Sequence, residues 1–96
     1  MKINVQSIKF NADQKLLDFI DKKVGKLEKF FDNIISCDVA LTVQPDHGKT
    51  VKVRLGIPGD DLIIERTAAT FEDAVVDCVD VLQDQIIRMK EKRFGK

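Results

Sequence analysis

The sequence predicts an α+β fold: a two-layer sandwich in the order β-α-β-β-β-α, with a four-stranded mixed sheet and both helices on one face. Three observations carry this expectation. Three short segments alternate apolar and polar residues with period two, a fourth at Leu62 to Thr67 is a short strand-like run, and two longer ones repeat apolar residues every three or four positions. Tight-turn signatures at Pro45-Asp46-His47-Gly48 and Pro58-Gly59 join the last three strand segments directly. The 96 residues are enough for one core, so 1–96 is expected to be a single domain.

The elements follow in order. Lys2-Ile3-Asn4-Val5-Gln6 alternates as a half-buried strand does. The phase breaks at Gln6-Ser7 before Ile8 and Phe10 resume it, which predicts a bulge or the strand's end. Asn11, with Gln14 three residues on, reads as a capping box opening a helix. Leu16, Leu17, Ile20, Val24, Leu27 and Phe31 then share one face, so the first helix is expected to reach about Phe31. Gly25 lies inside it, at a cost of about 1 kcal/mol relative to alanine.

Val39, Leu41 and Val43 alternate with Ala40, Thr42 and Gln44 as the second strand. Val51, Val53, Leu55 and Ile57 give the third, with the clearest period-two signal of the chain. Leu62 to Thr67 is the fourth, and its pattern leaves open which face points inward. Thr70 and Asp73 resemble a second capping box, followed by Phe71, Val75, Cys78, Leu82, Ile86 and Met89 on one helical face. Hairpin turns make strands two to four antiparallel, and the intervening helix permits strands one and two to be parallel. The sheet face away from the helices then carries Lys52 and Arg54.

Composition narrows the function. Hydrophobic residues are 44% and charged residues 33%, a globular balance. Sixteen Lys and Arg against sixteen Asp and Glu give a formal net charge of zero, which argues against a bulk polycation but not against a basic face. The apolar runs are short, so neither a membrane span nor a signal peptide is expected, and the cytoplasm is the default compartment. Cys37 and Cys78 sit beside apolar residues and read as buried thiols, a redox pair only if the fold brings them within reach. His47 is the sole histidine, so neither a metal site nor a catalytic triad is expected. No glycine-rich phosphate loop occurs, and Asp60-Asp61 reads as a solvated pair in a hairpin turn. No enzymatic activity, cofactor or small-molecule substrate is expected.

The charges are sorted rather than interspersed. At about 100° per residue, Lys15, Lys22, Lys26 and Lys29 fall along one direction of the first helix, opposite its apolar stripe. Asp18, Asp21 and Glu28 share a flank. A solvated face with i,i+4 pairs such as Asp18 with Lys22 would account for part of this. The second helix is polarised lengthwise: residues 71–84 sum to −5 and residues 85–96 to +4. Acids first and bases last complement the helix dipole, and the same basic end suits phosphate.

The run Lys26-Leu27-Glu28-Lys29-Phe30-Phe31-Asp32 resembles the Lys-Leu-Glu-aromatic signature of the ribosome hibernation-promoting and ribosome-associated translation-inhibitor family, also labelled sigma-54 modulation proteins. Pro58-Gly59, the stretch Phe71-Glu72-Asp73-Ala74-Val75-Val76-Asp77, and Leu82, Gln85-Ile86, Lys90 and Lys92 are similar to it too, in the same order over essentially the whole chain. The resemblance implies a cytoplasmic factor that binds rRNA of the small ribosomal subunit and blocks the mRNA and tRNA channel under stress or in stationary phase. It implies a monomer when free, and similarity to short members without the C-terminal dimerising extension.

Carried over by position, the RNA-facing residues it implies are Lys22, Lys23, Lys26 and Lys29, then Arg88, Lys90 and Lys92, with Arg93 just beyond. Lys52 and Arg54 join them by strand parity. One stretch departs: where the family tends to have Lys-Leu-x-Arg-Gln, this chain has Val81-Leu82-Gln83-Asp84-Gln85, which weakens phosphate contact at that turn. The other reading is a protein-interaction regulatory module, modulating transcription, without ribosome binding. The −5 stretch of the second helix would suit a basic protein partner.

Overall fold

The computed structural model describes residues 2–46 and 48–94, and side chains as far as residue 91. His47 and the side chains of Lys92 and Arg93 therefore lie outside the described residues. The chain runs β1 (Lys2–Ile8), α1 (Gln14–Gly25), a 3₁₀ turn (Lys26–Lys29), β2 (Ser36–Gln44), β3 (Gly48–Ile57), β4 (Asp60–Ala68) and α2 (Phe71–Phe94). The sheet order is β1-β2-β3-β4, with β1 parallel to β2 and the other neighbours antiparallel. This is the expected α+β architecture and connectivity.

Several local expectations change. β1 continues unbroken through Ile8, and it stops where Lys9 adopts a left-handed backbone with φ 66°. Ile8 thus falls on the opposite face from Ile3 and Val5, while Phe10, beyond the strand, stacks on Phe71 with ring centroids 5.1 Å apart. Asp13, not Asn11, caps α1: its carboxylate accepts from the Leu16 N–H at 2.9 Å. The helix begins at Gln14, so Asp13 and not Asn11 stands at the position whose side chain reaches an orphan amide of the first turn. The α-helix also ends at Gly25, and the expected last turn is 3₁₀. Asp60 and Asp61 open β4 rather than occupying the turn, which is confined to Pro58-Gly59, with Gly59 at φ 81°.

At α2 the reading from sequence holds. The Thr70 hydroxyl accepts from the Asp73 N–H at 3.1 Å, and Phe71 is the first helical residue.

One buried cluster joins the layers. It takes Cys37, Val39 and Leu41 from β2, Val51, Val53, Leu55 and Ile57 from β3, and Ile64 from β4. Leu16, Ile20 and Val24 of α1, and Val75, Cys78, Leu82 and Ile86 of α2, close it from above. Ile3 and Val5 pack against its margin. The β4 phase is now fixed: Leu62 and Ile64 face the helices, and Ile63 is 53% exposed on the other side.

Both thiols are buried and free. Cys78 Sγ approaches the Val51 carbonyl at 3.5 Å, whereas Cys37 lies opposite Leu55, four residues along β3. At about 3.3 Å per residue, that offset puts the two cysteines beyond disulfide reach. No helix among the described residues is long and apolar enough to cross a membrane.

Candidate nucleic-acid interface

The lysine ridge of α1 survives its change of helix type. Lys22, Lys26 and Lys29 are all exposed. In the 3₁₀ turn three residues complete one turn, so Lys26 and Lys29 project in nearly the same direction. Leu27, wholly buried, pins this turn to the core, and buried Phe31 and Ile34 carry the chain back towards β2. Among the described residues no ion pair ties Lys22, Lys26 or Lys29. Asp18 accepts from Gln14 Nε2 at 2.9 Å, and the Asp18–Lys22 pair that a solvated face would offer is not among the ion pairs of the described residues. Lys23 leans inward, half-buried, with its ammonium 5.6 Å from the centre of the Phe19 ring.

The end of α2 meets this ridge. Lys90 Nζ donates to the Phe30 carbonyl at 2.7 Å, a contact between residues 60 apart in sequence. Lys29, Lys90 and the turn Phe30 to Asn33 line a surface hollow of about 290 Å³. Two lysines from different elements thus line one hollow where the 3₁₀ turn ends, and Asp32 lines it with them. No sequence period could show this, because it depends on how α2 lies across the sheet.

Arg88 does not join them. Two residues along an α-helix are about 200° apart, so Arg88 and Lys90 leave α2 on opposite sides. Arg88 lies over the β4 edge, in a groove of about 460 Å³ with Asp61, Ile63 and Met89, and pairs with Asp84 at 3.0 Å. Asp84, the acid at the departing stretch of α2, therefore occupies the guanidinium as well as adding a negative charge.

The open sheet face holds the remaining cations. Cross-strand register aligns Asn4, Asp38, Arg54 and Ile63 in one row, and Gln6, Ala40, Lys52 and Glu65 in the next. Arg54 is tied to Asp61 at 2.8 Å, and this hydrogen bond and charge hold its guanidinium pKa above the ordinary range. Asn4 Nδ2 donates to Asp38 at 3.1 Å. Lys52 is exposed beside small Ala40, where the face dips into a hollow of about 280 Å³.

The ten candidate cations thus divide. Lys22, Lys26, Lys29 and Lys52 are exposed without ion pairs among the described residues; Arg54 and Arg88 are paired with acids. Lys90 is held by a backbone carbonyl, Lys23 packs on an aromatic ring, and Lys92 and Arg93 lie outside the described side chains. Reading the sequence missed Asp61 and the Phe30 carbonyl, which position cations without being cations themselves. Among the described residues no three His, Cys, Asp or Glu side chains lie close enough to hold a metal ion.

The profile of a family described as sigma 54 modulation protein / S30EA ribosomal protein matches residues 3–93. The ribosome hibernation promoting factor of Azotobacter vinelandii is 27% identical over 96 residues, covering 100% of this chain and 89% of that protein. The ribosome hibernation promotion factor of Bacillus subtilis is 28% identical over 96 residues, and this chain spans 50% of its length. Among solved structures, the N-terminal domain of Thermus thermophilus Protein Y matches with a TM-score of 0.83 at 21% identity, covering 93% of this chain and 99% of that one. A ribosomal subunit interface protein from Coxiella burnetii matches at 0.86 and 17% identity, covering 94% and 98%. At those identities the two structures establish the shared fold.

Proposed function

Because the chain belongs to the sigma 54 modulation protein / S30EA ribosomal protein family, we propose that it is a ribosome hibernation factor of the cytoplasm, binding small-subunit rRNA and blocking the mRNA and tRNA channel under stress. The observation that carries this reading is that Lys29 and Lys90 line one hollow beside the exposed Lys22 and Lys26, which form no ion pair among the described residues. Ammonium groups spaced along a rigid ridge neutralise successive phosphates and release their counterions without reading base sequence. Folded rRNA is recognised largely by shape, and helices pinned to a sheet offer a fixed complement at little ordering cost. The factor acts by occupancy, as a monomer, with no chemical step.

Co-sedimentation with purified small subunits tests it. Replacing Lys22, Lys26, Lys29 and Arg88 by Glu is expected to abolish association, with Lys29→Glu costing more than Arg88→Glu because Arg88 is already paired. Undiminished co-sedimentation of the fourfold variant would overturn the reading.

A further inference from the structure

The sheet has two edges, and they are defended differently. β4 carries Asp60, Asp61, Glu65 and Arg66, and charges along an edge discourage another strand from pairing there. β1 carries Lys2 alone, with no proline and no bulge over seven residues, and among the described residues it pairs only with β2. The outer backbone groups of β1 therefore form an undefended template.

Beside this edge, α1 builds a wall. Ile3 and Val5 of β1 and Gln14, Leu17, Asp18 and Asp21 of α1 line a groove of about 330 Å³, in which Gln14 Nε2 donates to one oxygen of Asp18. Three apolar side chains, Ile3, Val5 and Leu17, share it with two carboxylates and the Gln14 amide.

We propose that the β1 edge accepts an extended, lysine- or arginine-bearing segment of a partner protein, which adds a fifth strand to the sheet. Main-chain pairing supplies the affinity in such a complex, and the side chains that alternate along the added strand supply the selectivity. A lysine fits both parts of the groove: its aliphatic stem lies along Val5 and Leu17, and its ammonium reaches the carboxylates of Asp18 and Asp21. A second copy of this chain fits poorly. Antiparallel pairing of two β1 edges about Val5 would set Asn4 opposite Gln6, but it would also bring both anionic walls face to face. Four carboxylates would then meet across the two-fold axis. The proposal is independent of the rRNA reading, since it uses the acidic flank of α1 rather than its lysine ridge.

The probe is a capped peptide of about nine residues alternating lysine with threonine, a good strand former. Titrated into the isotopically labelled protein, it is expected to shift amide resonances of residues 2–8 and 14–21 and to slow hydrogen exchange along β1. The same peptide N-methylated at alternate amides along one edge should not bind, nor should the version with glutamate for lysine. Asp18→Asn with Asp21→Asn is expected to weaken binding about three- to tenfold, the scale of two exposed ion pairs, without affecting co-sedimentation with small subunits. Absence of binding at millimolar peptide, equal binding of the N-methylated peptide, or shifts centred on Lys29 and Lys90 would each overturn the proposal. A dimer formed through β1 without peptide, seen by sedimentation, would assign the edge to a second copy instead.

Discussion

Gly48 and Gly25 show opposite uses of one residue type. Gly48 sits at φ 101°, and a Cβ there would lie 2.6 Å from the Ala68 carbonyl oxygen, a backbone atom that cannot swing aside. Gly48→Ala is therefore expected to cost more than about 2 kcal/mol, left-handed strain adding to the clash, read as a lower urea midpoint. Gly25 has φ −58° and open space around its would-be Cβ. Gly25→Ala should stabilise by about 0.5–1 kcal/mol and raise Tm by several degrees.

The thiols give a pH signature. Burial pushes Cys37 up to about 12, helped by the Asp38 charge, and pushes Cys78 up to about 11 from the usual 9.0. In the unfolded chain both ionise near 9, so above that pH the native state holds more protons and stability falls as pH rises towards 11–12. Below 9 both states keep the proton, and the contribution is constant. Urea midpoints measured from pH 7 to 11 should fall less steeply above 9 in the Cys37→Ala, Cys78→Ala double variant than in the parent. An unchanged alkaline slope would show that the thiols are not buried as described. The same burial predicts that neither cysteine reacts with a thiol reagent at pH 8 until the protein unfolds.

At the scale of elements, caps separate what sequence spacing reveals from what it hides. Thr70 was legible because a hydroxyl before a strongly periodic helix has few other uses, and Thr70→Ala is expected to cost about 1 kcal/mol. The spacing of Asn11 and Gln14 satisfies the same rule, yet Asp13 makes the bond, because the chain enters α1 two residues later. Asp13→Ala should therefore destabilise by about 1 kcal/mol, while Asn11→Ala leaves thermal stability within error.

β3 was read without ambiguity because it is a central strand whose alternate side chains are wholly buried. β4 was not, because Leu62, Ile63 and Ile64 are consecutive apolar residues and only packing against α2 selects between them. The end of α1 was overrun because Leu27 keeps the helical spacing of buried residues even though the backbone tightens after Gly25. Of the candidate interface, the cations themselves were legible, but their pairing was not. Asp61 with Arg54 is a diagonal contact across the β3–β4 hairpin that depends on its register, and Phe30 with Lys90 is a tertiary contact with no local signal.

For the molecule as a whole, the question is what a zero net charge does on a surface whose charges are sorted. Lys22 of α1 and Lys26 and Lys29 of the 3₁₀ turn are exposed, and Lys90 lies where that turn ends, so the proposed interface offers four cations to phosphates. Counterion release then predicts that log affinity for small subunits falls with log salt at a slope of about −3 to −4. A flat response would remove the electrostatic mechanism. Steering alone does not give selectivity, since such a ridge attracts any polyanion. The exposed carboxylates of Asp77 and Asp80, in the acidic half of α2, supply the opposing field. They repel duplexes that approach without matching the ridge and leave a correctly oriented complex unaffected. Asp77→Asn with Asp80→Asn should therefore raise affinity for unrelated duplex RNA several-fold while changing small-subunit affinity little, so that the ratio between them narrows. Filter binding at two salt concentrations would measure both, and an unchanged ratio would show that the acidic half of α2 serves the helix dipole alone.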